Sequence, residues 1–250
     1  MSLGQDTSSA QKTATATHGA ISRYPENPPR TFCFNDTLPV DRVLTGDCVP
    51  IMKGLPGASI DLVVTDPPYL VRYRDRHCRT LAGDDSPAWV MPAFREIYRL
   101  LKPDTFCVSF YGWGHVETFM RAWKAAGFRP VGHLVWRKNY PSRTGFLEAR
   151  HEQAYLLTKG YPAHPDAPIA DVQPWVYSGN RYHPTQKSVS VIEPLIRAFS
   201  HPGDLVLDPF LGSGTTALAA QGCGRRYLGI ELDAGFAAVA EQRLASWRSV

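Results

Sequence analysis

Cysteine is sparse. Its five residues, Cys33, Cys48, Cys78, Cys107 and Cys223, are scattered and nowhere spaced as CxxC. An odd, dispersed set argues against a disulfide framework and against a structural zinc site, so no metal is expected. Long apolar runs are missing too: none approaches the roughly 18–20 residues of a membrane helix. The opening MSLGQDTSSAQKTATATHGA has no apolar core of the kind a signal peptide carries. These absences predict a reduced, soluble, cytoplasmic protein with no membrane partner. Charge of one sign is also scarce, since the net value is only +4, too mild to name a polyanionic partner. Within it lysine is rare, 7 against 20 arginines. Arginine's planar fork matches phosphates and base edges, so the bias suits nucleic acid, although GC-rich codon usage would produce it as well. What the chain has is core: 44% hydrophobic and 20% charged residues exclude wholesale disorder. A length of 250 residues fits one α/β domain or two small ones.

From residue 1 to about 30 the chain is rich in Ser, Thr, Ala and Gln and then in Pro, without apolar periodicity. That composition predicts a disordered tail followed by one domain over 31–250. Beyond it, short β-rich runs alternate with helical patterns, as in a doubly wound, mostly parallel sheet. Seven strands are expected, at Arg42–Cys48, Ile60–Thr65, Phe106–Tyr111, Val131–Trp136, Glu152–Thr158, Leu205–Leu207 and Tyr227–Glu231. Five helices are expected, at Pro87–Leu101, Gly114–Ala126, Ser188–Ser200, Thr215–Gln221 and Ala234–Trp247. Runs such as Ile60-Asp61-Leu62-Val63-Val64 are nearly continuously apolar, the pattern of a strand covered on both faces. Lys138–Gly145 and Tyr161–Tyr182 have loop composition.

Two segments carry chemistry. The first runs Leu205-Val206-Leu207-Asp208-Pro209-Phe210-Leu211-Gly212-Ser213-Gly214-Thr215-Thr216-Ala217 and reads strand, glycine turn, helix. Gly212 and Gly214 let backbone approach a ligand closely, and the following helix start offers unpaired N–H groups. Glu231 closes the next strand, nineteen positions after Gly212, where an acid can accept hydrogen bonds from both ribose hydroxyls. Gly212, Gly214 and Ala217 also satisfy the dinucleotide fingerprint, but a dinucleotide fold places that turn in its first βα unit. Here only 33 residues follow Ala217, so most of the sheet comes earlier and the order is circularly permuted.

The second segment is Asp66-Pro67-Pro68-Tyr69, directly after the Ile60–Thr65 run. Ligands in open α/β sheets sit outside the carboxyl ends of strands, which is where this tetrapeptide falls. Pro67 and Pro68 stiffen the turn and remove two N–H donors, leaving acceptors: the Asp66 carboxylate and the Pro67 carbonyl. Tyr69 adds an aromatic face. Such a set suits the exocyclic amino group of a nucleobase, a poor nucleophile because its lone pair is delocalised into the ring. Two acceptors gripping its N–H bonds favour a pyramidal nitrogen and stabilise the developing charge. The base must leave its stack to get there, and an aromatic partner offsets part of that cost. The bland alternative is a Pro-Pro strand exit with an exposed Asp.

Together these segments resemble the amino-methyltransferases of DNA, specifically their permuted β group. In that group the DPPY segment precedes a target-recognition region and the FxGSGTT loop for S-adenosylmethionine comes last. Asp66–Tyr69 and Phe210–Thr216 match in that order, and His183-Pro184-Thr185-Gln186-Lys187-Ser188 resembles the group's HPTQKP segment, with Ser188 in place of the last Pro. Gly46-Asp47-Cys48 is similar to the cofactor-adenine segment, and Arg150-His151-Glu152 to the lead into the final strand. The resemblance implies a single-domain, Rossmann-like, seven-stranded methyltransferase fold, with S-adenosyl-L-methionine as cofactor and DNA, its target base flipped out, as partner. It implies that Asp66, Pro67, Pro68 and Tyr69 are catalytic. It places the cofactor on Asp208, Phe210, Gly212, Ser213, Gly214, Thr215, Glu231, Asp47, Thr185 and Lys187. For Lys187 the alternative is a solvated helix-start lysine, and for Asp47 a strand-end turn former. Relatives with DPPY mostly methylate adenine N6 and those with SPPY more often cytosine N4, so Asp66 favours adenine. An RNA methyltransferase and a catalytically silent DNA-binding relative are the more distant alternatives.

After Tyr69 comes Val71-Arg72-Tyr73-Arg74-Asp75-Arg76-His77-Cys78-Arg79. Arg72, Arg74, Arg76 and Arg79, with Tyr73 between them, are expected to bracket phosphates and fill the gap left by a flipped base, the alternative being a solvated basic loop. Lys138 and Arg143, with Arg137 and Arg150, are candidates for a second DNA-facing wall. The target-recognition region, about residues 138–182, is short and proline-rich, which predicts short or relaxed site preference. Any restriction nuclease is expected to be a separate chain; homodimers occur in the group, but no interface signature is visible. Trp113 could flank the target pocket, with packing the favoured reading. His133 and His201 are expected to be structural or surface residues.

Overall fold

A computed structural model describes residues 38–74, 80–179, 182–183 and 185–247. The expected tail, Arg76, Arg79 and Pro184 lie outside the described residues. The elements run β1 (Arg42–Thr45), α1 (Cys48–Lys53), β2 (Ile60–Thr65), α2 (Val90–Leu100), β3 (Leu101–Phe110), α3 (Val116–Ala126), β4 (Arg129–Arg137), β5 (Arg143–Thr144), β6 (Glu148–Ala149), β7 (His151–Lys159), β8 (Val172–Pro174), α4 (Val189–Phe199), β9 (Leu205–Asp208), α5 (Thr215–Gly222), β10 (Arg226–Glu231) and α6 (Ala234–Ser246).

The main sheet has eight strands in the order β1-β10-β9-β2-β3-β7-β4-β8. All neighbours are parallel except where β7 inserts antiparallel between β3 and β4. All seven predicted strands are present. The eighth, β8, lies in a stretch read as loop; it is a three-residue edge strand placed by backbone pairing to Val135–Arg137 rather than by any apolar pattern. Two strand boundaries also move by more than two residues. The first strand ends at Thr45 because Asp47 caps α1, accepting the Val49 N–H at 2.9 Å. The third strand starts at Leu101, so Lys102-Pro103-Asp104, which has turn composition, lies inside it.

Helices cover both faces. Strand residues alternate between them: Leu205 and Leu207 join α1, α2 and α3 on one side, and Val206 joins α4 and α5 on the other. The α2 stripe of Val90, Ala93, Phe94, Ile97 and Leu100 is fully buried at helical spacing. Each large apolar side chain so buried contributes about 1.5–3 kcal/mol. Small residues along α5, including Ala217, Ala219 and Ala220, let that helix sit tightly against the sheet. One consequence positions the site. From β9 the chain winds outward through α5 to β10, whereas from β2 it winds the other way through α2 to β3. Thus β9 and β2 flank the topological switch point, where a crevice opens beyond their carboxyl ends.

Candidate active site

Every sequence-predicted site segment with described residues reaches this one edge of the sheet or the loops beside it. Asp47 follows β1, Glu231 ends β10, Asp208 ends β9 and Asp66 follows β2. Farther along, Gly112 follows β3, Glu152 opens the reversed β7 and Lys138 follows β4. Val63 pairs with Leu207, so Asp208 stands level with Val64, two residues before Asp66. The glycine turn and the Asp66 turn therefore face each other across the crevice.

Asp66 is held from both sides. Its Oδ1 accepts the Tyr69 hydroxyl at 2.8 Å, and its Oδ2 accepts Lys187 Nζ at 2.5 Å. Lys187 is 8% exposed and also approaches the Tyr69 hydroxyl at 3.3 Å. It is a buried lysine held at the Asp66 turn, not a solvated helix-start lysine. Tyr69 in turn lies 3.5 Å from Glu152, whose other oxygen takes the ammonium of Lys138. Burial, then the charges of Asp66 and Glu152, push the Tyr69 phenol well above its usual range. It remains a neutral donor at any working pH. Gly112 makes this turn fit: a Cβ there would meet the Tyr69 carbonyl oxygen at 2.7 Å.

The opposite wall is built from backbone. Gly212 and Gly214 have φ of 56° and 86°, the left-handed region that glycine occupies without strain. The Gly212 N–H donates to Glu231 Oε2 at 2.7 Å, and the Asp233 N–H to Oε1 at 2.9 Å. Burial raises the Glu231 carboxyl above its ordinary value. Asp208 is 3% exposed; burial raises it to about 7, opposed by the Thr216 hydroxyl and the Phe210 N–H. The Thr215 hydroxyl donates to the Lys187 carbonyl at 3.2 Å, locking the two motif segments together. Thr185 hydrogen-bonds His183 Nδ1 through its N–H, and the His183 ring packs on Phe236 with centroids 4.3 Å apart. Burial, then the nearby Lys187 charge, lowers His183 to about 4, so it is neutral at physiological pH. Ser213 is buried, its hydroxyl and carbonyl both held by Arg243. Phe210 packs on Trp89 at 4.9 Å.

The DNA-facing candidates divide. Arg72 and Arg74 are exposed on a loop braced by Asp84, whose carboxylate accepts the Val71 and Tyr73 N–H groups at 3.2 and 2.5 Å. Arg143 is exposed on the β5–β6 hairpin. Lys138 is 6% exposed, its ammonium is paired to Glu152 beneath Tyr69, and with Arg137 and Arg150 it lines a cavity beside Trp175. Trp113 corrects the expectation that it packs: it is 75% exposed, at the rim beside Gly112. Glu152, Asp84 and Arg243 were not read as site residues. Glu152 had a signal in the Arg150-His151-Glu152 lead; the other two act through contacts distant in sequence that no local pattern announces.

Residues 60–242 match the profile of the DNA methylase family that groups N6 and N4 methyltransferases. The chain belongs to that family. YubD of Escherichia coli (strain K12), which carries only a provisional name as a methylase, is 53% identical over 207 residues, spanning 83% of this chain and 91% of its own. The Thermus thermophilus methylase TTHA0409, solved with S-adenosyl-L-methionine, superposes with a TM-score of 0.66 at 26% identity, covering 82% of this chain and 93% of that one. The cytosine-N4-specific PvuII DNA methyltransferase has the same score at 21% identity, covering 80% and 85%, which shows a shared fold.

This DNA methylase uses S-adenosyl-L-methionine, and its crevice fits that cofactor. A Cβ at Gly212 would meet only the His183 ring, at 3.8 Å, so the turn leaves room for a ligand. Glu231 is a carboxylate oriented by two backbone N–H groups beside that turn, suited to a diol. Bound there, the cofactor supplies an electrophilic methyl group. Among the described residues, no helix is long and apolar enough to cross a membrane.

Proposed function

We propose that this methylase transfers the methyl group to the exocyclic N6 amino group of adenine in DNA. The observation that carries the reading is the doubly held Asp66 carboxylate at the switch point, facing the glycine turn across one crevice. Asp66 and the Pro67 carbonyl accept the two amino N–H bonds, while Tyr69 stacks on the flipped base and Pro68 fixes the turn. The N–CH3 bond forms as the S–CH3 bond breaks, and the amino nitrogen then loses a proton. The protein contributes alignment and a preformed set of acceptors, with no covalent enzyme intermediate.

In this reading Glu231 takes the ribose hydroxyls and Asp208 faces the methionine end. The 210–215 turn and Thr185 shape the cofactor cleft, and Asp47 borders the adenine. Arg72, Arg74 and Arg143 contact phosphates. The aspartate of Asp66-Pro67-Pro68-Tyr69 supports adenine over cytosine; the fold is neutral on this point, since PvuII methyltransferase shares it. Trp113, exposed beside the target turn, offers a second aromatic face for the base.

Asp66→Ala separates chemistry from binding. Methyl transfer to DNA should fall by at least about a thousandfold while cofactor affinity stays within about threefold. Transfer at the wild-type rate would remove Asp66 from the reaction.

A further inference from the structure

The β5–β6 hairpin, joining β4 to β7, is built unlike the rest of the surface. Its strands pair Arg143 with Ala149 and Thr144 with Glu148, and the Gly145 N–H closes on the Leu147 carbonyl at 3.1 Å. At its tip Phe146 is 109% and Leu147 84% exposed, so neither side chain contributes to the core. The base of the hairpin is firm. Lys138 N–H donates to the Arg150 carbonyl and Ser142 N–H to that of Ala149, both at 2.8 Å. Below it Trp175 donates to the Tyr140 hydroxyl at 3.2 Å. A hydrogen-bonded stalk thus presents two large apolar side chains to water, flanked by Arg143 and by Arg150, whose guanidinium pairs with Glu148 at 2.6 Å.

We propose that Phe146 and Leu147 form a wedge that enters duplex DNA and occupies the space vacated by the extruded target base. The inference rests on the DNA reading above and adds the group that makes extrusion stable. Position supports it. The hairpin rises from the sheet edge that carries Asp66, and Glu152, just after the hairpin, lies against Tyr69. The six steps of chain from Phe146 to Glu152 span at most about 22 Å, which keeps the tip within reach of the base pair that the crevice would empty. Chemistry supports it as well. An unstacked step exposes base faces that an apolar side chain can cover, and the exposed Arg143 beside it meets a phosphate. A second copy of the chain is the other occupant to weigh, but a stable dimer buries about 1,600 Å² in all, far more than a two-residue tip offers.

The test is the Phe146→Ser, Leu147→Ser double variant, assayed on two duplexes: one fully matched, one with an abasic site opposite the target base, where extrusion needs little help. Both side chains are solvent-exposed, so folding and cofactor affinity should be unchanged. The expected result is a drop in kcat/KM of about tenfold or more on the matched duplex, largely restored on the abasic one. Equal activity on both duplexes, or an equal loss on both, overturns the wedge, as does a loss that tracks a dimer falling to monomer. A wild-type enzyme that methylates neither duplex overturns the DNA reading, and the wedge with it.

Discussion

Lys187 and Asp66, 121 positions apart in the chain, meet at 2.5 Å at the switch point of the sheet. The contact ties the segment before α4 to the turn after β2, and with the Tyr69 hydroxyl on the other oxygen it fixes the Asp66 carboxylate in place. Lys187→Gln removes that charge-assisted hydrogen bond and leaves a neutral donor on a side chain one bond shorter. The expected result is a fall in kcat of roughly ten- to a hundredfold with a much smaller change in KM for DNA, because the turn is misaligned rather than the substrate released. Unaltered kcat would mean that Lys187 serves packing alone.

Gly112 is the steric counterpart of that contact. Alanine there would drive its Cβ into the Tyr69 backbone, at 2.7 Å from the carbonyl oxygen and 2.8 Å from Cβ. Neither atom can swing away as a side-chain end could. Gly112→Ala should cost about 1–3 kcal/mol of stability and lower turnover strongly, with cofactor affinity preserved because the glycine turn lies beyond β9 and β2. Calorimetry and a cofactor titration check both halves.

Asp208 makes the stability of the fold depend on pH. Burial raises its carboxyl from 3.8 to about 7, so across that window the folded protein keeps a proton that the unfolded chain releases. Its contribution to stability is complete below about pH 4 and lost as pH rises through 7. Asp208→Asn cannot ionise, so its stability relative to the wild type should rise across the window, by at most about 4 kcal/mol. His183, lowered to about 4, has the opposite slope, and the comparison of variant with wild type cancels it. Denaturant unfolding at several pH values checks this; a difference that stays constant contradicts it. If Asp208 faces the cofactor's cationic methionine end, wild-type cofactor affinity should also strengthen as pH rises past 7, and Asp208→Asn should flatten that trend.

Much of this was legible in the residues, for physical reasons. Both chemical turns sit where a strand of continuous apolar residues must stop, and their glycines and prolines can do little else locally. The permuted order follows from counting what remains after Ala217. Short elements were not legible: α1 is six residues and β8 three, too brief for a periodicity. Nor was Lys138, whose charge suggests a surface but whose burial is decided by Glu152 on the neighbouring strand. Trp113 was misread because aromatic residues near strand ends usually pack, whereas this one stands at the rim.

The most direct test of the central claim uses methyl-labelled S-adenosyl-L-methionine with unmethylated DNA, followed by digestion to nucleosides and chromatography. Label is expected in N6-methyladenine, abolished by Asp66→Ala. Label in N4-methylcytosine would keep the site and its chemistry but contradict the choice of base. No label in DNA, from an enzyme that still binds the cofactor, would contradict the account itself.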